Sequence, residues 1–226
     1  MEITLPFGRT ATIRGLTGRE EDVLADPKKH KNNLFLYEIL TRCTLALELR
    51  DGTTATPAVL KHIEDLLAPD RAALLFAIRT ETFGPEVDCE VTCTSCGSVN
   101  HFQVDLSAME NVPAPETGEG EVEHTLSDGT VVAMRHLNGP QERTVAQATT
   151  DRITTGMATR LTRVAGVHTN DIRKWLLDMP AKLRRELHAA MAATSCGPKD
   201  EHTGDCAQCG TELTFAAMVQ SGFFFP

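Results

Sequence analysis

Apolar and polar positions alternate with two different periods along the chain, and the switches between them outline its elements. Glu2 to Leu5 and Thr10 to Arg14 are short β-prone runs on either side of Gly8, the pattern of a hairpin. Thr17-x-x-Glu20 then has the form of a capping box, in which side chains satisfy the first free amides of a helix. Leu36, Ile39, Leu40, Cys43 and Leu47 follow at helical spacing and predict a helix with one apolar face. Cys43 on that face reads as a small buried hydrophobe. A third helix is expected to open at Thr56-Pro57, a cap residue with proline at the first helical position, and to carry Leu60, Ile63 and Leu67. Pro69 breaks the chain before another helix, Asp70 to Arg79, and two β-prone runs follow, Val87 to Val91 and Val99 to Leu106.

The same succession recurs. Leu5 and Leu126, Gly8 and Gly129, and Glu21 and Glu142 are each 121 residues apart, and that shift also lays Leu40-Thr41-Arg42 on Leu161-Thr162-Arg163. Ser127-Asp128-Gly129 supplies a second hairpin turn, and Asn138-x-x-Gln141 a second capping box. A helix from near Asn170 carries Ile172, Trp175 and Leu176, and Pro180 precedes another, Ala181 to Met191. Leu66-Leu67 pairs with Leu176-Leu177 at a shift of 110, and Cys93, Cys96, Gly97 and Phe102 fall on Cys206, Cys209, Gly210 and Phe215 at 113. Ordered blocks of this kind point to tandem duplication of one unit. The expected fold is α+β: a first repeat at 1–110, a linker at 111–123 and a second repeat at 124–226. Each unit would hold an N-terminal β-hairpin, several helices and a C-terminal cysteine hairpin. The linker, rich in Pro, Gly and Glu, reads as solvated.

Composition narrows the function. With 226 residues, 41% hydrophobic and 23% charged, the chain is an ordinary globular protein, and 5% aromatics imply a mainly aliphatic core. A formal net charge of −9 would repel phosphate backbones, which argues against nucleic acid as a partner. No apolar run approaches the roughly 20 residues of a membrane span. The opening Met-Glu-Ile-Thr-Leu-Pro lacks the basic and apolar regions of a signal peptide, so a reducing cytoplasm is expected. There, seven cysteines suit metal ligation or free thiols better than disulfides.

Cys93-Thr-Ser-Cys96-Gly97 and Cys206-Ala-Gln-Cys209-Gly210 have the form of zinc-ribbon knuckles. Two thiolates separated by two residues reach one ion across a tight turn, and the following glycine allows the left-handed backbone that reverses the chain. The simplest arrangement is one structural zinc per chain, held by Cys93, Cys96, Cys206 and Cys209 and clamping the two units together. The alternative is two ions, with Cys89 and His101 adding to the first knuckle and Cys196 and His202 to the second. Four protein ligands leave no open position, so either ion would be structural and no small-molecule substrate is expected. A redox pair would need a strand-to-helix setting that these hairpin tips lack. His62-Ile63-Glu64 ahead of Cys93-x-x-Cys96 imitates a nucleobase deaminase, but Thr92 stands where that family has proline. His62 and Glu64 read instead as the solvated face of a helix. No phosphate loop, nucleophile elbow or metalloprotease motif occurs, and the chain is not expected to be an enzyme.

Phe223, Phe224 and Phe225 form an aromatic end that must either tuck into its own fold or bind a partner. With this end in place, the chain resembles the base plate protein family of contractile-tailed bacteriophages, relatives of a T-even phage baseplate hub product. Related genes occur in phage-like contractile injection systems. The resemblance rests on Thr4-Leu5-Pro6-x-Gly8, Ile13-Arg14-x-Leu16-Thr17-Gly18-x-Glu20-Glu21, Val91-Thr92-Cys93-x-x-Cys96-Gly97, Cys206-x-x-Cys209-Gly210 and Phe224-Phe225. It implies a structural part of the tail baseplate or hub, with other baseplate, hub or tape-measure proteins as partners. Two alternatives are an assembly chaperone acting in the host cytoplasm and a zinc-ribbon adaptor or regulator.

Overall fold

A computed structural model describes residues 1–26, 28, 34–115, 120–218 and 223–224. The mixed α/β fold opens with the expected hairpin of β1 (Glu2–Thr4) and β2 (Thr10–Ile13). Its turn is closed by the Gly8 N–H donating to Leu5 O at 2.8 Å, with Gly8 at φ 83°. α1 (Gly18–Ala25) starts at Thr17, where the Glu20 carboxylate accepts from both the Thr17 amide and its hydroxyl. α2 (Leu34–Cys43) leads straight into β3 (Thr44–Glu48), which returns antiparallel to β2. The helix expected to reach Leu47 therefore ends at Cys43, because the run Thr44–Glu48 is recruited by the sheet and buries Leu47 from a strand. β4 (Thr54–Ala55) pairs at the outer side of β3.

The third helix does not open at Thr56-Pro57. Thr54 and Ala55 are held extended by β3, Thr56 and Pro57 follow as a bend, and α3 (Leu60–Asp65) begins after Val59. α4 (Ala68–Phe83) takes Pro69 into its first turn, where a missing N–H costs nothing. Its Asp70 carboxylate accepts from the Phe7 amide at 3.1 Å and from Arg9 at 2.9 Å, which seats the first hairpin turn on the helix. At the other end Arg79, 1% exposed, donates to the carbonyls of Gly84 and Glu86 and so aims the next element. That element is the long hairpin of β5 (Glu86–Thr92) and β6 (Val99–Asp105).

The order then repeats. After β7 (Asn111–Val112) come the hairpin β8 (Val122–Thr125) and β9 (Val131–Met134), α5 (Gly139–Gln147) and α6 (Arg152–Arg160). β10 (Leu161–Val164) returns on β9, and α7 (Ile172–Asp178) and α8 (Ala181–Ala193) follow. β11 (Gly197–Pro198) pairs with β7, and a short hairpin of β12 (His202–Asp205) and β13 (Glu212–Phe215) closes the series. Two details differ from the sequence reading. Leu40-Thr41-Arg42 is helical whereas Leu161-Thr162-Arg163 is a strand, so that block does not superpose by structure. Asn111-Val112, expected in a solvated linker, forms β7, because Gly197 and Pro198 offer it a partner.

Mainly aliphatic cores form in each half, one around Ile13, Ile39, Leu74 and Ile78, the other around Val132, Met134, Leu176 and Leu187. Cys43 is fully buried in the first, where burial pushes its thiol up to about 11. Trp175 packs against the second. The halves meet through Arg71–Glu142 (2.5 Å) and Arg143–Glu64 (2.8 Å), with both guanidinium groups over the Tyr37 ring. Glu64, read from sequence as a solvated position, is thus a cross-half ion-pair partner. Phe223 and Phe224 lie in the first core, Phe223 edge-on to Phe76 at 5.4 Å. Of the two fates open to the aromatic end, these two residues tuck inward, since 1% and 8% exposure leaves little ring for a partner. Phe225 lies outside the described residues.

Candidate metal centre

Each knuckle is a tight turn at the tip of a hairpin. Register in β5–β6 runs unbroken from Glu86–Asp105 to Thr92–Val99, so Cys93 emerges directly from the last pair. The Gly97 N–H donates to Cys93 O at 2.9 Å, and the Cys93 N–H to Ser98 O at 2.8 Å. The second tip repeats this, with Gly210 N–H to Cys206 O at 2.8 Å and Cys206 N–H to Thr211 O at 2.9 Å. Gly97 and Gly210 have φ of 75° and 71°, a conformation that a Cβ would strain. Such backbones turn both cysteines of a pair towards the same side.

The two tips face each other. The Cys93 and Cys209 sulfurs are 3.7 Å apart, as are those of Cys96 and Cys206, and all four lie within 4.8 Å of one another. Four thiolates set tetrahedrally about 2.3 Å from one ion would stand roughly 3.8 Å apart, so the spacing fits a single metal. Cys93 and Cys206 are buried, and Cys96 and Cys209 face outward. A soft four-sulfur set of this shape suits zinc or iron.

Neighbouring hydroxyls favour the charged form that a metal needs. Ser98 Oγ lies 3.1 Å from both Cys96 and Cys206, and Thr211 Oγ1 is 3.2 Å from Cys209. The Ser98 hydroxyl holds the Cys206 thiol down to about 5, and Thr211 lowers Cys209. Asn100, buried below the turn, accepts from the Ala207 N–H at 2.9 Å and points its amide at the Cys206 sulfur at 3.6 Å. It ties the first hairpin to the second independently of any ion. Phe102 stacks on Phe215 at 4.8 Å, and a Cβ at Gly204 would stand 2.4 Å from the Phe102 ring. Glycine at 204 is what lets the hairpins approach.

Among the described residues the structure gathers Cys93, Cys96, Cys206 and Cys209, and no second such group. Cys89 is buried in the first core from β5. His101 faces outward across from Glu90. Cys196 lies 3.6 Å from His136, and His202 pairs with Asp200 at 3.1 Å. Ser98, Asn100 and Thr211 were not singled out from sequence. Ser98 and Thr211 carried a signal, since they are 113 residues apart like the cysteines. Asn100 carried none, as Leu213 holds its place in the second hairpin.

The model of the T4 bacteriophage base plate protein family matches residues 1–214. The chain belongs to that family. Family membership carries a structural role in the phage baseplate, association with other baseplate or tail proteins, and a place in the virion tail. No curated protein and no solved structure matches the chain. Among the described residues no helix is long and apolar enough to cross a membrane.

Proposed function

We propose that this member of the base plate family is a non-enzymatic structural part of a contractile tail baseplate or hub, made from two copies of one duplicated unit and clamped by one zinc ion. The observation that carries the reading is the convergence of one cysteine pair from each half on a single tetrahedral-sized space. Units of 1–110 and 124–226 account for the recurrence of hairpin, helices, return strand, helices and cysteine hairpin. The ion supplies no open coordination position, so its work is mechanical. It locks two hairpins whose own apolar contact is small, with Val91, Phe102, Leu213 and Phe215 as the main packing. The partners are the baseplate, hub or tape-measure proteins that surround the hub.

The test is to sediment purified tails or injection particles and ask whether the chain travels with them at fixed stoichiometry, alongside metal analysis of the isolated protein. Co-sedimentation with one zinc per chain is the expected result. Absence from the particles, with binding to hub proteins in extract, would make it an assembly chaperone, and two zincs per chain would undo the shared site.

A further inference from the structure

The two halves differ in how the groove between their second and fourth helices is covered. α2 ends at the residue before β3, and α6 at the residue before β10. Counting back from those junctions sets Leu36 against Ile153 and Leu40 against Met157. On α4 and α8, the buried Leu74 and Ile78 correspond to the buried Leu187 and Met191, which sets Leu75 against His188. In the first half the chain's own later segment enters this groove: Met218 lines it with Leu36, Leu40 and Leu75, leaving a cavity of about 220 Å³, and Phe223 packs on Phe76. In the second half no described segment enters it. A cavity of about 280 Å³ remains, lined by Ile153, Met157, His188, Met191 and Ala192, and Ile153 is 68% exposed.

Its charge is one-sided. Arg152 and Arg160 also line it, and no carboxylate does among the described residues. Arg160 directs its hydrogen bonds to the carbonyls of Arg135 and Met191 and to the Thr194 hydroxyl, none of which neutralises it. The first-half cleft, in contrast, sets Glu142 against Arg71 and Arg143. In a chain of net charge −9 this is a local cationic, apolar groove. We propose that the α6–α8 groove receives a linear segment of a partner protein carrying a methionine or aromatic anchor flanked by acidic side chains. Met218 and Phe223 in the first half are the template for the anchor, and the unpaired arginines select the flanks. The inference uses the repeat reading for its residue correspondence and is independent of the metal.

Methyl spectra of the full chain, labelled at methionine, test it, since Met157 and Met191 report on this groove and Met218 on its counterpart. The probe is a synthetic peptide of the 213–224 sequence with two glutamates added at each end, compared with the same peptide flanked by lysines. Expected are saturable shifts at Met157 and Met191 with Met218 unmoved, and binding about tenfold weaker or worse for the lysine form. Ile153→Asp, at an exposed position that leaves folding intact, should weaken the acidic peptide by a similar factor. Silence at Met157 and Met191, equal binding of both peptides, or indifference to Ile153→Asp would each overturn the proposal. So would shifts at Met218 alone, which mean exchange of the chain's own segment, or shifts on concentrating the protein by itself, which mean a second copy.

Discussion

Glu20 and Gln141 do the same job at the start of corresponding helices, one charged and one neutral. Gln141 reaches back to the Asn138 amide at 3.0 Å, and Glu20 to the Thr17 amide at 3.0 Å. Glu20 adds a paired contact with Arg14, which holds its carboxyl at about 2, below its ordinary 4.5. A depressed carboxyl stabilises the fold fully above pH 4.5, and that contribution drains away as pH falls towards 2. Allowing for the partly exposed Arg14, it is on the order of 2 kcal/mol. Glu20→Gln should keep the cap, lose that amount at neutral pH and flatten stability between pH 4.5 and 2, as denaturant melts across that range would measure. Asn100→Ala leaves the Ala207 N–H without its partner inside the hairpin contact. A loss of about 1–3 kcal/mol is expected by the same melts, with metal affinity reduced by roughly ten- to a hundredfold in competition with a chelator.

At the scale of elements, the cysteine hairpins are the parts whose geometry a metal would change most. Removing the ion with a strong chelator should lower the melting temperature by more than about 5 °C. Cys209→Ser should reproduce that shift and abolish one-to-one metal binding. Gly204→Val should act differently, pushing against Phe102 and costing about 1–3 kcal/mol even in the metal-free protein. Hairpins, caps and the cysteine pairing were legible in the sequence because each depends on local chemistry: a glycine at positive φ, a carboxamide three residues past a cap, two thiols across a turn. The end of α2 was not. Cys43 to Leu47 continues a helical stripe, and only the distant edge of β2 turns it into a strand. The start of α3 was missed for the same reason, since β4 claims Thr54 and Ala55 through a partner the local pattern does not contain.

At the scale of the whole molecule, what was illegible is how the halves lock. Tyr37 between Arg71 and Arg143, and Glu64 and Glu142 opposite them, meet through contacts that no spacing in the sequence signals. The route of the later segment was likewise open, since an aromatic cluster reads alike whether it faces inward or outward. Asp200 settles it by accepting from the Ala217 and Met218 amides at 2.7 and 2.9 Å, steering the chain back across the first half. Phe223→Ala should cost about 3–5 kcal/mol and show as early unfolding of the first half by hydrogen exchange.

That return path has a consequence for synthesis. The first core contains Ala217, Phe223 and Phe224, which leave the ribosome only after residues 124–216. The half made first therefore stays open at Phe76 until Phe223 has been made. A chain stalled before residue 217 leaves the slot beside Phe76 uncovered.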